Sequence, residues 1–133
     1  MTFSPAAADT ILEFFKVTNS KPCDYDKIFT GDLGIVGSEL LCELCKKENL
    51  DISQKHCDCG LLIYDLVKQN VDAGGSGCGC SASVLCTHIL NKLKSREYKN
   101  ILFCATGALL SPTIVQQGES IPSIAHIVEI KSV

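Results

Sequence analysis

Nine cysteines, three histidines and one glycine-rich loop carry most of the reactive chemistry in this 133-residue chain. Cys78 and Cys80 lie in Gly74-Gly75-Ser76-Gly77-Cys78-Gly79-Cys80, immediately before the apolar run Ser81 to Leu90. A thiol at a helix start is acidified by the helix dipole, but a nucleophile also needs a base within reach. His88 is two turns or more along the helix, and the sequence does not place His56 or His126. A histidine in an apolar helix reads more simply as a core residue. The same loop can turn backbone N–H groups toward an anion. It misses the dinucleotide fingerprint, because Cys80 stands where the third glycine belongs, and no Gly-Lys-Ser/Thr follows for a P-loop. Close backbone packing around a buried helix start explains the glycines equally well.

Two further groupings have the right residue types. Cys42 and Cys45 share one helix face, and Cys57-Asp58-Cys59 follows His56. A structural zinc site draws four Cys or His ligands, typically from paired Cys-x-x-Cys motifs. Only one such pair occurs, and Cys45 falls on the core-facing side of its helix. The thiols therefore read as buried and reduced, with no metal and no cofactor; their odd number and the lack of an N-terminal signal pattern agree. The other grouping is Thr106, Ser111 and Thr113, around the segment that leaves a buried strand, where ligands settle in α/β sheets. Hydroxyls there can donate to a carboxylate or a carbonyl, although the segment also reads as an ordinary connection.

The elements that must position these groups follow from the pattern. Ser4-Pro5 marks a helix start, with Ser4 as cap and Asp9 favouring the dipole, and the helix runs to about Val17. Lys27 to Gly31 reads as a short buried strand. Ser38 caps a second, amphipathic helix to about Glu48, with Leu40, Leu41, Leu44 and Cys45 opposite Glu39, Glu43, Lys46 and Lys47. Leu61 to Leu66 reads as a strand. The glycine loop feeds an apolar helix that needs cover on more than one side, and Asn100 to Thr106 and Ile124 to Ile130 complete the strands. This order implies an α/β fold: a mostly parallel sheet flanked by helices, with a final antiparallel strand, in one domain spanning 1–133. The net charge of −3 and the scattered Lys and Arg residues exclude a nucleic-acid partner. The uncharged stretch from Ala73 to Asn91 is too interrupted by polar residues to span a membrane, so a soluble or peripheral protein is expected.

Five segments together resemble the stage V sporulation protein AD family of the thiolase-like superfamily. They are Phe29-Thr30-Gly31-Asp32-Leu33-Gly34, Cys59 to Asp65, Gly74 to Ala82, Ala105 to Thr113 and Gln117-Gly118-Glu119-Ser120-Ile121-Pro122. The resemblance covers the whole chain but corresponds to the second half of the family. It implies a thiolase-like C-terminal half in a split, truncated or partial protein, whose first half, with the nucleophile position, has no counterpart.

In the wider condensing-enzyme pattern a histidine is expected near Thr30-Gly31, and a Gly-Asn-Thr-Ser motif opens the central helix. Neither is matched, since Cys78 replaces the Asn. Both departures remove groups that stabilise thioester chemistry, so the resemblance implies a non-catalytic protein. It further implies binding of dipicolinic acid, or its calcium chelate, and its uptake into the developing spore, with other stage V sporulation proteins at the inner spore membrane as partners. The missing half, or a second copy, would also be a partner. A flat ring with two carboxylates needs convergent donors, which selects Ser111 and Thr113, with the backbone of Gly77, Cys78 and Gly79 as a further wall. The alternatives are an acyl-transfer enzyme using Cys78 and a structural half-domain that acts by pairing.

Overall fold

The structure is a computed structural model that describes residues 3–108, 113, 116–118 and 123–133. Helix α1 spans Ser4–Thr18 and ends at Asn19, which takes the left-handed conformation at φ 50°. Its buried residues Ala7, Ala8, Ile11 and Phe15 repeat every three to four positions and so line one face. Strand β1 (Lys27–Thr30) follows, then helix α2 (Gly34–Lys47), strand β2 (His56–Asp58) and a single turn, α3 (Cys59–Leu62). Beyond the glycine loop, α4 (Cys80–Val84), a wide π-turn (Leu85–Ile89) and α5 (Leu90–Lys94) run on as one helical rod. Strands β3 (Asn100–Ala108) and β4 (Ser123–Lys131) close the fold.

The sheet order is β2-β1-β3-β4, with β1 parallel to both neighbours and β4 antiparallel to β3. The fold is therefore α/β with the mostly parallel sheet and final antiparallel strand that the sequence implies. Side chains alternate across it. Ile28, Leu102, Cys104 and Ala125 pack on one face with α1 and α2, while Phe29, Ile101 and Phe103 pack on the other with Cys80, Val84, Ile89 and Leu93 of the rod. At the edge of the first core, Phe14, Phe15 and Tyr25 stack edge-to-face with centroids 5.6 to 6.1 Å apart.

Several local expectations are corrected. Ser4 does not cap α1: that place falls to Phe3, and the Ser4 hydroxyl donates to the Gly37 carbonyl at 2.8 Å, tying α1 to α2. Asp9 lies beyond the first turn, out of the dipole's strongest reach. Helix α2 starts at Gly34, four residues before Ser38, because Gly34 and Leu33 donate their N–H groups to Asp58. Leu61 to Leu66 is not a strand. The Asp58 side chain accepts the Gly60 N–H and turns the chain into α3, so the paired strand is the shorter and more polar His56–Asp58 just before it. The rod is buried along one face only, with Ala82, Ser83, Cys86 and Thr87 exposed.

Candidate functional site

The carboxyl ends of β1 and β3 meet the glycine loop in a small space. A Cβ built on Gly31, just past β1, would lie 2.6 Å from Thr106 Oγ1, so only glycine lets the two strand ends approach this closely. The next residue, Asp32, is partly exposed and reaches across to the loop. Its carboxylate accepts hydrogen bonds from Ser76 Oγ at 2.9 Å, the Gly77 N–H at 3.0 Å and Thr106 Oγ1 at 3.5 Å. Gly77 presents that N–H at φ +120°, a conformation that penalises any side chain. The start of the loop is pinned to the helices: Ile35 N–H donates to the Ala73 carbonyl at 3.0 Å, and Gly75 N–H to the Gly60 carbonyl at 2.6 Å.

A second carboxylate lies deeper. Asp58 is 1% exposed and accepts from Thr30 Oγ1 at 2.6 Å and from the N–H groups of Leu33, Gly34 and Gly60 at 3.0 to 3.1 Å. It thereby fixes the turns after β1 and β2 that carry the site. His56 Nε2 lies 2.8 Å from Thr30 Oγ1, and Cys42 Sγ 3.9 Å from His56 Nδ1. Burial lowers the His56 pKa, with the charge of Asp58 acting in the opposite direction. Burial also raises the Cys42 thiol and takes Cys45, Cys59 and Cys104 up to about 12. These thiols are protonated near neutrality and are poor nucleophiles. Among the described residues no three His, Cys, Asp or Glu groups are placed to hold a metal ion.

Of the residues singled out from sequence, Gly77, Cys78 and Gly79 stand together, exposed, at the mouth of the loop. Thr113 is exposed and its carbonyl accepts the Gln117 N–H at 3.0 Å, while Ser111 lies outside the described residues. Thr106 does donate toward a carboxylate, but that carboxylate is Asp32. The sequence reading missed Asp32 as the organiser of the loop. The available signal was its place directly after the strand-ending Thr30-Gly31. An open groove of about 490 Å³ lined by Phe14, Val17 and Ile127 shares no residue with the loop. Asp9 and Glu13 stand at its side, whereas the Ser76, Gly77 and Thr106 donors converge at the loop end of the sheet, which is the candidate site.

The fold and this site define a class: an α/β protein in which a glycine loop and two strand ends converge on a carboxylate. Residues 1–131 match the family model for stage V sporulation protein AD, and the chain belongs to that family. It is 51% identical over 123 residues to stage V sporulation protein AD of Bacillus subtilis (strain 168), an alignment that takes in 92% of this chain and 36% of the relative. The chain thus spans little more than a third of the length of that relative.

Proposed function

We propose that this chain serves in sporulation as a non-catalytic, thiolase-like module that recognises dipicolinic acid, free or as its calcium chelate, and supports its uptake into the developing spore. The observation that carries the reading is the convergence of one backbone N–H and two hydroxyls on a carboxylate at the strand ends, in a member of a sporulation family. Donors so arranged suit a carboxylate group, of which dipicolinate carries two. The non-catalytic reading rests on sequence: no histidine stands at Thr30-Gly31 and Cys78 takes the place of the Asn in the condensing-enzyme pattern, while the imidazole that lies beside Thr30, that of His56, is contributed by β2 and its pKa is lowered by burial. No described helix is long and apolar enough to cross a membrane, which is consistent with work alongside membrane-bound partners of the same system.

Calorimetric titration of the chain with dipicolinate, alone and with calcium, tests the reading. Binding is expected, weakened about tenfold by Ser111→Ala through loss of one hydrogen bond to a charged group. Unchanged affinity in that variant removes Ser111 from the site, and no binding of either form sinks the proposal for this chain. Pairing with a first half or a second copy is a compatible reading, supported by the exposure of Leu90, Ile124 and Val128.

A further inference from the structure

Strand β4 ends the sheet on its side, and the register fixes which of its backbone groups are left over. The Ser132 N–H donates to the Lys99 carbonyl, next to the Asn100 and Lys131 pair. Bonded and non-bonded pairs alternate along an antiparallel ladder. Ile124, His126, Val128 and Ile130 therefore bond to β3, while Ala125, Ile127, Glu129 and Lys131 turn their N–H and C=O groups outward. The Thr10 hydroxyl, donating to the Ala125 carbonyl at 3.0 Å, agrees with this assignment and closes one end of the edge. Among the described residues no strand bonds to the rest of it. That open part, Ile127 to Lys131, pairs with Asn100 to Cys104, at the end of β3 away from the connection between the two strands. An unpaired edge is a template for a further strand.

A cavity adjoins this edge. Ala125 and Ile127 carry their side chains to the α1 side of the sheet, where the groove of about 490 Å³ runs between helix and strand. Its apolar lining is Phe14, Val17 and Ile127, with Val17 73% exposed. Its wall holds Asp9 and Glu13, both exposed. Among the described residues no Lys or Arg pairs with Asp9, and Glu13 meets Lys16 at 3.9 Å on the surface. A residue bonded opposite Ile127 sends its side chain into this groove. The next residue on that face, two positions and about 7 Å along, arrives opposite Ala125, beside the turn of α1 that bears the two carboxylates. We propose that the free edge of β4 docks an extended segment of another protein. That segment adds to the sheet, sets an apolar side chain on Phe14, Val17 and Ile127, and sets Lys or Arg, two positions away, against Asp9 and Glu13. Backbone bonds supply the affinity and the groove the selection. Charge decides against a second copy here: β4 paired with itself about Ile127 puts Glu129 opposite Ala125, beside Asp9 and Glu13, where like charges repel.

The test uses the whole chain and a fluorescein-labelled peptide, Thr-Lys-Thr-Leu-Thr-Lys-Thr, whose leucine and lysines share one strand face and whose pattern reads alike in both directions. Fluorescence anisotropy should show saturable binding. Glu13 is exposed, so Glu13→Lys keeps the fold, and it should weaken binding roughly fivefold. Methylating the leucine nitrogen should abolish binding, because that N–H is the one offered to the Ile127 carbonyl. Equal binding of a peptide with glutamates in place of the lysines overturns the assignment of the partner, and equal binding of the methylated peptide overturns strand addition. Amide hydrogen exchange locates the site on the unaltered chain: the Ile127 and Glu129 N–H groups should slow at saturation, while Val128, already bonded to β3, keeps its rate. Slow exchange of those two groups in the free chain would mean an edge already paired and overturns the proposal, as does the absence of binding or binding that leaves both rates unchanged. A dimer in sedimentation that protects the same two groups makes a second copy the occupant, and the partner assignment falls.

Discussion

The single proton of the Thr30 hydroxyl determines the state of its neighbours. Since it is committed to Asp58, His56 Nε2 must donate to Thr30, and the lone pair on Nδ1 faces the Cys42 thiol. Neutral His56 satisfies this chain, and burial already lowers its affinity for a proton. The unfolded chain, with His56 at the ordinary value of 6.5, takes up protons before the folded one does. The resulting stability is complete above that value and declines as pH falls through and below it. The urea midpoint should drop between about pH 7.5 and 5.5, and His56→Gln should flatten that slope; an unchanged slope removes His56 as the cause. Sequence reasoning placed Cys45 inward, since hydrophobic periodicity carries that assignment, but it reserved the Thr106 hydroxyl for a ligand where the structure sets it toward Asp32. It could not see the role of Asp58, because a capping aspartate within His56-Cys57-Asp58-Cys59 has the residue pattern of a metal site, and only the path of the backbone separates the two.

At the scale of elements, the long amphipathic and apolar runs were legible: α1, β1, β3 and β4 fall close to where their periodicity predicts. The segment 56–66 was not, because Leu61, Leu62 and Ile63 look like a strand, while the backbone is turned earlier by the cap at Asp58. The rod brings a different irregularity. Its buried residues Cys80, Val84, Ile89 and Leu93 are spaced four, five and four apart. A regular helix cannot keep a five-residue step on one face, and the π-turn, with the Leu90 N–H reaching the Leu85 carbonyl, absorbs the extra residue. Deleting the exposed Cys86 should let a regular helix present the same four side chains, with a stability change within about 1 kcal/mol. Inserting an alanine after Cys86 instead makes the five-residue step six, which turns Ile89 and Leu93 about 120° away from Val84 in a regular helix and should cost several times more. Equal losses in chemical denaturation would show that the wide turn does not serve this register.

For the whole molecule the decisive feature is unequal cover. The face of the sheet under α1 and α2 is covered over Ile28, Leu102, Cys104 and Ala125, whereas on the other face the rod leaves Ile124 and Val128 of β4 about half exposed, at 54% and 51%, with Leu90 at 42%. Apolar surface so placed favours association. Sedimentation of the chain should show a concentration-dependent complex that Val128→Lys weakens, and a monomer at all concentrations contradicts it. The strand order also governs how the chain can be made. Strand β1 lies between β2 and β3, yet Asn100 follows Thr30 by 70 positions in the sequence. A ribosome adding about 5–20 residues per second releases β3 on the order of 4–14 s after β1. During that interval one edge of β1, with Ile28 and Phe29, has no native neighbour, and the nascent chain depends on chaperones or on its own solubility to reach the moment when the sheet can close.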